Sequence, residues 1–315
     1  MHDSRNKKKN IVLNICGVRI LFCSEVPLAV PPEIMPFLSE GKPDLMVPVR
    51  IGWMPGQRIR LGQNVYQDYG TYGGGLWLAA RMGDKDTSIG TVWRPDFSEV
   101  TVWLNMEDFG ESVCRLEKIV QYFPMRAFLL RHDMLLLHSS RIELSGSAIA
   151  FSGPPQAGKT TQAHLWARYA GARIVSNDRT VIRKTQEGIL STGYPVDGGE
   201  PVRDPERIPL AAIVLIEQGE ENRAVRLPVS KAFGALMNQT MLHAWDPDFM
   251  TKIQLLWANI LSDIPVYRLT CTPDERAVIC LQQELRRNGG MHLGEDSQPA
   301  RKESRFLASS ADGSI

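Results

Sequence analysis

The sequence predicts an α/β fold in which a small β-rich module is followed by a larger domain of strands and helices. Short apolar runs separated by turn residues occupy residues 11–105. From residue 111 onward, helical patterns alternate with apolar strands. Within that part, the apolar stretch 147–151 leads through a glycine-containing loop into a helical pattern over residues 161–169. A strand, a loop and a helix in this order are typical of α/β proteins.

The β-rich module is predicted to span residues 1–110 and begins with a hairpin. Residues 11–15 and 18–22 form its two arms, and Cys16-Gly17 forms the turn. Prolines between residues 27 and 36 predict an irregular stretch after the hairpin. The remaining predicted elements are strands over residues 47–53, 76–81 and 100–104 and a flexible turn over residues 70–75.

The second domain is predicted over residues 111–290. Its first element is a helical pattern over residues 111–131, which Pro124 should kink or split. A strand over residues 134–137 then ends at His138, and a hairpin around Ser145-Gly146 leads into the glycine-containing loop.

After the loop helix, the pattern predicts three strands and three helices. The strands are residues 172–175, 181–184 and 210–217. The helices are residues 230–241 with Ser230 as the cap, residues 247–261, and a last helix opened by residues 272–275 that ends before Asn288. Residues 291–315 are polar and lack periodicity, which predicts a disordered tail.

Composition excludes several classes of protein. The formal net charge of the 315 residues is +1, so no bulk attraction to nucleic acid or to a membrane surface is expected. No apolar run approaches the length of a membrane span. The five cysteines form no CxxC pair, which predicts reduced thiols and a cytoplasmic location.

The octapeptide GPPQAGKT at residues 153–160 is the most informative motif in the chain. It fits the pattern G-x-x-x-x-G-K-[ST], in which backbone amides and the positive end of a helix dipole meet at one point and bind phosphate. Lys159 can reach the β- and γ-phosphates of a nucleotide, and the Thr160 hydroxyl can bind Mg²⁺. The alternative is a glycine-proline turn that precedes a helix by chance. The predicted nucleotide-binding residues are Gly153, Pro154, Pro155, Gln156, Ala157, Gly158, Lys159, Thr160 and Thr161.

Three further residues are candidates for the second half of a site. Asp178 follows a predicted strand, where its carboxylate can bind Mg²⁺ or accept a proton from a hydroxyl; the alternative is a turn residue after the strand. His138, at a strand end, can donate to a phosphate oxygen, but a lone histidine there is often structural. Arg179 can bind a phosphate or simply pair with Asp178.

These residues also carry a family resemblance. The segments LHSSR at 137–141, IAFSG at 149–153 with the loop that follows, and GARIVSNDR at 171–179 resemble the catalytic domain of HPr kinase/phosphorylase. They are still more similar to the HPr-kinase-like proteins of bacterial peptide-modification gene clusters. The resemblance continues through residues 194–199, 265–269 and 273–274, and it covers about residues 115–287.

The resemblance implies a phosphoenolpyruvate-carboxykinase-like nucleotide fold and transfer of phosphate from ATP, with Mg²⁺, to a serine hydroxyl of a peptide or small protein. It places the family's catalytic histidine on His138 and its acidic pair on Asn177 and Asp178, with Arg179 next to them as a residue for phosphate or substrate. HPr kinases assemble as hexamers, so a homo-oligomer is compatible with the resemblance.

Two departures from the family pattern keep other functions open. Asn177 stands where the family has its first acid, so Asp178 acts alone or Asp197 or Glu200 substitutes. The I-E-I-R-G segment of true HPr kinases is absent between Gly188 and Leu210, which argues against HPr itself as the acceptor. The alternatives are a nucleotide-binding regulator with weak catalysis, a kinase for a small metabolite such as free serine, and a carboxykinase acting on a small acid.

Overall fold

The computed structural model describes residues 7–54, 67–81, 87–196, 202–244 and 246–288. The predicted tail at 291–315 and the two substitute acids, Asp197 and Glu200, lie outside the described residues. So does part of the loop at 194–199 that carries the family resemblance.

The first sheet has seven described strands in the order β1-β2-β3-β7-β6-β5-β4. One face is apolar because side chains alternate along its strands: Ile11, Leu13 and Ile15 are buried, while Val12 and Asn14 between them are half-buried. The expected hairpin at Cys16-Gly17 joins the first two strands. The strands are β1 (Lys7–Ile15), β2 (Val18–Ala29), β3 (Leu45–Ile51), β4 (Gln67–Tyr72), β5 (Gly75–Arg81), β6 (Thr87–Trp93) and β7 (Val100–Leu104).

Short helices cover the buried face of this sheet. They are α1 (Met106–Phe109), α2 (Leu116–Tyr122) and α3 (Met125–Leu130). The predicted helix over 111–131 is split at Pro124, as its ring and missing amide require. Its start differs from the prediction, because Gly110–Val113 form a 3₁₀ turn and the α-helix begins only at Leu116. An aromatic cluster lies between the first sheet and α3. The ring centroids of Phe97 and Phe128 in this cluster are 5.2 Å apart.

The second sheet contains eight described strands and carries the glycine-containing loop. Its strands are β8 (Met134–Leu144), β9 (Ser147–Ser152), β10 (Arg173–Ser176), β11 (Arg179–Thr185), β12 (Gly188–Gly193), β13 (Ile208–Gln218), β14 (Arg223–Arg226) and β15 (Val266–Cys271). Its helices are α4 (Lys159–Ala170), α5 (Val229–Met237), α6 (Pro247–Leu261) and α7 (Glu275–Arg287).

The pairing of these strands closes a ring. The long strand β8 pairs with β11 through its first half and with β9 and β10 through its second half. Strand β13 pairs with β12 at its start and then runs parallel to both β9 and β15. Strands β8, β11, β12, β13 and β9 therefore form a closed circuit, and the sheet contains both parallel and antiparallel pairs.

Helices cover both faces of the central strands, which confirms the α/β class. Trp166 of α4 and Leu281 of α7 share one buried cluster with Phe151 and Val214. On the other face, Trp257 of α6 packs with a cluster that includes residues of α5 and β13. Two layers of helices with a sheet between them are the arrangement expected when strands are apolar on both faces.

Hydrophobic packing crosses the predicted boundary at residue 110. One core cluster joins Phe22 of β2 and Val102 of β7 to Leu116, Met134 and Val181. The first sheet therefore shares its core with helices and strands of the second domain, while the division into two modules stays a prediction.

Several predicted elements differ in the structure. The strand before His138 does not end there but continues to Leu144, because β9 and β10 replace β11 as partners of β8. Helix α5 begins after Pro228 rather than at a Ser230 cap and ends at Met237. The segment predicted as a turn over 70–75 is mostly strand, and its reversal occurs at Gly73-Gly74. The strands that the sequence patterns missed include β4, β6, β12 and β14.

Candidate functional site

The glycine-containing loop lies where β9 ends and α4 begins. β9 is buried between β8 and β13, and it ends at Ser152, where the chain leaves the sheet and enters the loop. Helix α4 starts at Lys159 and directs its N terminus back at the same edge. This arrangement of a buried strand, a tight loop and a helix N terminus is the one that binds phosphate groups.

Two glycines determine the shape of the loop. Gly153 and Gly158 have φ angles of +153° and +102°, a region that residues with a side chain rarely adopt. A Cβ on Gly153 would lie 3.1 Å from the carbonyl oxygen of Ile216 and 3.2 Å from the Cβ of Ala157. The loop backbone therefore lies directly against β13, with no space for a side chain between them.

The amino group of Lys159 lies inside the loop. Its Nζ donates hydrogen bonds to the carbonyl oxygens of Gly153 and Pro154, both at 3.0 Å, and the residue is 8% exposed. Burial lowers the pKa of Lys159, and the negative charge of Asp178 opposes that shift. The ammonium group therefore contacts the loop, and the charge of Asp178 favours its protonated form.

Asp178 is held by two neighbouring side chains. Its Oδ1 lies 3.2 Å from Nδ1 of His138, and its Oδ2 lies 3.4 Å from Nε of Arg179. The Asp178 side chain is 17% exposed, so its carboxylate is partly open to an incoming group. His138, Asp178 and Arg179, the three candidates from the sequence, thus form one cluster.

The backbone of the turn that carries Asp178 is fastened to β8. The Ser139 amide donates to the carbonyl oxygen of Asp178 at 3.1 Å, and Ser140 Oγ donates to that of Asn177 at 3.1 Å. Ser176 Oγ donates to the carbonyl oxygen of Arg179 at 2.7 Å. These bonds fix the turn, and the one from Ser140 depends on its hydroxyl.

Strand β8 also connects this cluster to the glycine-containing loop. His138 pairs with Arg179 on one side of β8, and the next residue, Ser139, pairs with Ser152 of β9. Ser152 Oγ donates to the carbonyl oxygen of His138 at 2.8 Å. His138 is therefore one strand away from the residue that precedes Gly153.

The residues fit a nucleotide with Mg²⁺. The glycine positions, the helix N terminus and the buried ammonium of Lys159 match what a phosphate chain requires. Thr160 and Thr161 stand in the first turn of α4, and Thr160 is half-buried. Within the described ranges, no group of three or more His, Cys, Asp or Glu could hold a metal ion.

A cleft of about 580 Å³ adjoins the outer side of the loop. Pro154 and Gln156 of the loop line it, together with Gln218 from the end of β13 and Arg268 from the middle of β15. Gln218 Nε2 donates to the carbonyl oxygen of Gln156 at 2.8 Å, which supports the loop at its tip. The sequence patterns did not single out Gln218, because nothing in its local context distinguishes it from other strand-end residues.

On the other side of Asp178, Arg179 leads into a second cavity. Its Nη1 donates to the carbonyl oxygen of Val196 at 3.1 Å, and its guanidinium lies 6.0 Å from the ring centre of Tyr194. The cavity has a volume of about 310 Å³ and lies between the first sheet and the second domain. We call it the junction pocket; its lining includes Trp93, Phe123, Arg126, Arg179, Tyr194 and His243.

The junction pocket gives the protein a specific pH dependence of stability. Burial, and then the nearby charge of Arg126, lower the pKa of His243 to about 4, from an ordinary value of 6.5. Between pH 6.5 and 4 the unfolded chain therefore binds more protons at this residue than the folded chain, so stability falls as the pH falls. We expect His243→Gln to lose less stability than the wild type over this range, measured as the urea midpoint at pH 7 and pH 4.5. Equal losses would mean that His243 does not titrate this way.

Comparisons with known proteins add little to this geometry. No protein-family model and no curated protein matches the chain. Among solved structures, the chain is similar to the HPr(Ser) kinase/phosphatase from Coxiella burnetii, at 15% sequence identity and a TM-score of 0.28. The match covers 49% of this chain and 89% of that chain. Similarity at this level carries no argument, and the α/β assignment rests on the sheets and helices described above.

Within the residues that the structure describes, no helix combines the length and the apolar character that a membrane span needs.

Proposed function

We propose that this protein transfers a phosphoryl group from ATP, with Mg²⁺, to a serine hydroxyl of a peptide or small protein. The observation that carries the proposal is the position of Asp178: it contacts His138, which lies one strand away from the residue that precedes Gly153. The charge of Asp178 acts on the buried ammonium of Lys159, while His138 and Arg179 contact its two carboxylate oxygens. A phosphate-binding loop alone supports nucleotide binding, whereas a partly open carboxylate beside it supports transfer to a hydroxyl.

Each residue has a role that its position supports. Lys159 and the loop amides would neutralise charge on the phosphate chain, and Thr160 with Asp178 would hold the metal. Mg²⁺ would supply further neutralisation of the phosphate oxygens. Asp178 would accept the proton of the serine hydroxyl, and His138 would orient the Asp178 carboxylate through the 3.2 Å contact.

The finer fold assignment belongs to the same proposal. We infer a phosphoenolpyruvate-carboxykinase-like arrangement of the second domain, supported by the order of His138, the loop and Asp178 along the chain. The cleft of about 580 Å³ next to the loop is large enough to receive the nucleoside part of ATP.

A second candidate function rests on Asn177. This residue is 6% exposed and stands where the resembling kinases have an acid, so the site has one carboxylate where they have two. A protein with one carboxylate could bind nucleotide and signal its presence without efficient transfer. This regulator would bind ATP but phosphorylate nothing.

Mass spectrometry separates these functions. The purified protein is incubated with ATP, Mg²⁺ and serine-containing peptides, including those encoded beside its gene. We expect a gain of one phosphate on a peptide, absent when its serine is replaced by alanine and absent with the Lys159→Ala variant. ATP binding without transfer to any peptide would favour the regulator, and phosphate on added free serine would favour the small-metabolite kinase.

A further inference from the structure

The junction pocket has the charge of an anion-binding site. Arg126 and Arg179 both line it, and none of the described residues that line it is an aspartate or a glutamate. Arg179 is balanced by Asp178, which it contacts at 3.4 Å. Arg126 has no such partner among the described residues: its Nη1 donates to the carbonyl oxygen of Leu242 at 2.9 Å, and it forms no ion pair there.

The positive charge of Arg126 is energetically unfavourable in this position. Burial lowers the pKa of Arg126, and the nearby charge of Arg179 lowers it further. Tyr194 does not supply a compensating charge, because burial raises its pKa to about 12 and keeps the phenol neutral. His243 is also uncharged at neutral pH, since its pKa is about 4. A half-buried guanidinium beside a second arginine and otherwise neutral groups would be stabilised by an anionic ligand.

The position of the pocket connects it to the proposed acceptor site. Arg179 belongs to both, with its Nε against Asp178 and its side chain in the pocket lining. Leu136 also lines the pocket, two residues before His138 on β8. A group bound in the pocket would therefore be a near neighbour of a hydroxyl at Asp178. With a volume of about 310 Å³, the pocket is at the small end of ligand sites, which suits one side chain rather than a folded surface.

We propose that the junction pocket binds the carboxylate side chain of an acidic residue adjacent to the acceptor serine. Arg126 forms the ion pair, while Trp93, Phe123 and Tyr194 surround the apolar part of that side chain. The inference rests on the proposed function, because it takes Asp178 as the place where the acceptor hydroxyl arrives. Arg126 acts in specificity and not in the chemical step.

The test measures peptide binding rather than transfer, so that the two proposals can fail separately. A library of peptides with blocked ends contains one serine and, at each flanking position in turn, glutamate or glutamine. The wild-type protein, with Mg²⁺ and a non-hydrolysable ATP analogue, is used to select peptides, and mass spectrometry counts those retained. We expect about a tenfold preference for glutamate over glutamine at one position, the ratio that one charge-assisted hydrogen bond provides.

Two variants identify the residue responsible. Arg126→Met is expected to bring the glutamate preference close to one while ATP affinity is unchanged. The matched control is Arg131→Met, which removes an arginine five positions along the chain whose Nη1 contacts the Pro95 carbonyl oxygen outside the junction pocket. Arg131→Met is expected to keep the wild-type preference.

Two results would overturn the inference. One is a wild type that does not distinguish glutamate from glutamine, and this comparison needs no variant, so poor folding of Arg126→Met cannot obscure it. The other is a preference that Arg126→Met retains. A glutamate preference in binding without phosphate transfer to any selected peptide would uphold the pocket and reject the kinase proposal. Transfer without a glutamate preference would do the reverse.

Discussion

Replacing Asp178 by asparagine is expected to lower the rate of phosphate transfer by about 10²- to 10⁴-fold, the range associated with loss of a general base. The amide keeps the size of the side chain but cannot take the proton of a serine hydroxyl, and it is a weaker ligand for Mg²⁺. The backbone of the turn should not move, because its bonds to Ser139 and Ser140 use carbonyl oxygens and not the carboxylate. Single-turnover transfer with the best peptide acceptor measures the effect.

Nucleotide affinity provides the control for this variant. Asp178→Asn should bind ATP nearly as well as the wild type, since the phosphate loop is intact. Lys159→Ala should lose both affinity and transfer, because its ammonium lies within the loop, 3.0 Å from the carbonyl oxygens of Gly153 and Pro154. Transfer by Asp178→Asn at the wild-type rate would show that another group takes the proton. Loss of ATP binding in that variant would instead make Asp178 mainly a metal and nucleotide ligand.

Arg141→Met is expected to destabilise the fold by about 3 kcal/mol, the lower end of the cost of removing one partner from a buried charged network. Arg141 is fully buried inside the ring of strands. Its Nη1 donates to the carbonyl oxygen of Ser191 at 2.6 Å, and its Nη2 donates to that of Asp204 at 3.1 Å. Methionine matches the apolar stem but removes both hydrogen bonds from the charged donor, each worth about 1.5–3 kcal/mol. The carbonyl oxygen of Asp204 keeps its hydrogen bond from the Gly193 amide, so the total cost stays near the lower end of the range.

A nearby arginine serves as the matched control. Arg173 pairs with the side chains of Asp204 and Glu206, but 45% of its side chain is exposed. Arg173→Met should therefore cost less than about 1 kcal/mol, as is usual for surface ion pairs. Urea unfolding of the two variants and the wild type gives the comparison, at a pH where all three are folded. Equal midpoints for Arg141→Met and Arg173→Met would mean that the buried hydrogen bonds contribute little.

The local features of the site could be predicted from the sequence. The loop from Gly153 to Thr160 was identifiable because its chemistry depends on residues that are adjacent in the chain: two glycines that permit unusual backbone angles, then a lysine and a threonine. The hairpin at Ser145-Gly146 and the split at Pro124 were predictable for the same reason. Each rests on the conformational preference of one or two residues, which does not depend on distant parts of the chain.

Local patterns gave wrong or incomplete results where a distant strand decides the outcome. The sequence predicts a strand end at His138 because a polar residue follows four apolar ones. The strand β8 nevertheless continues, because its second half forms hydrogen bonds with β9 and β10. The sequence patterns do not predict strand β12, because its small residues show little apolar alternation. Its pairing with β11 and β13 stabilises it as a strand.

The sequence by itself determined the α/β class, the phosphate loop and the residue types from which a transfer site could be built. Only the tertiary structure decided which of these side chains contact one another. The Asp178 carboxylate contacts His138, forty residues earlier in the chain, because β8 and β11 pair in that register. Arg126 lacks an ion partner among the described residues, and Arg141 lies inside a ring of strands, because strand pairing and core packing place them there. Charge and burial depend on what surrounds a residue in space, which its sequence neighbours do not specify.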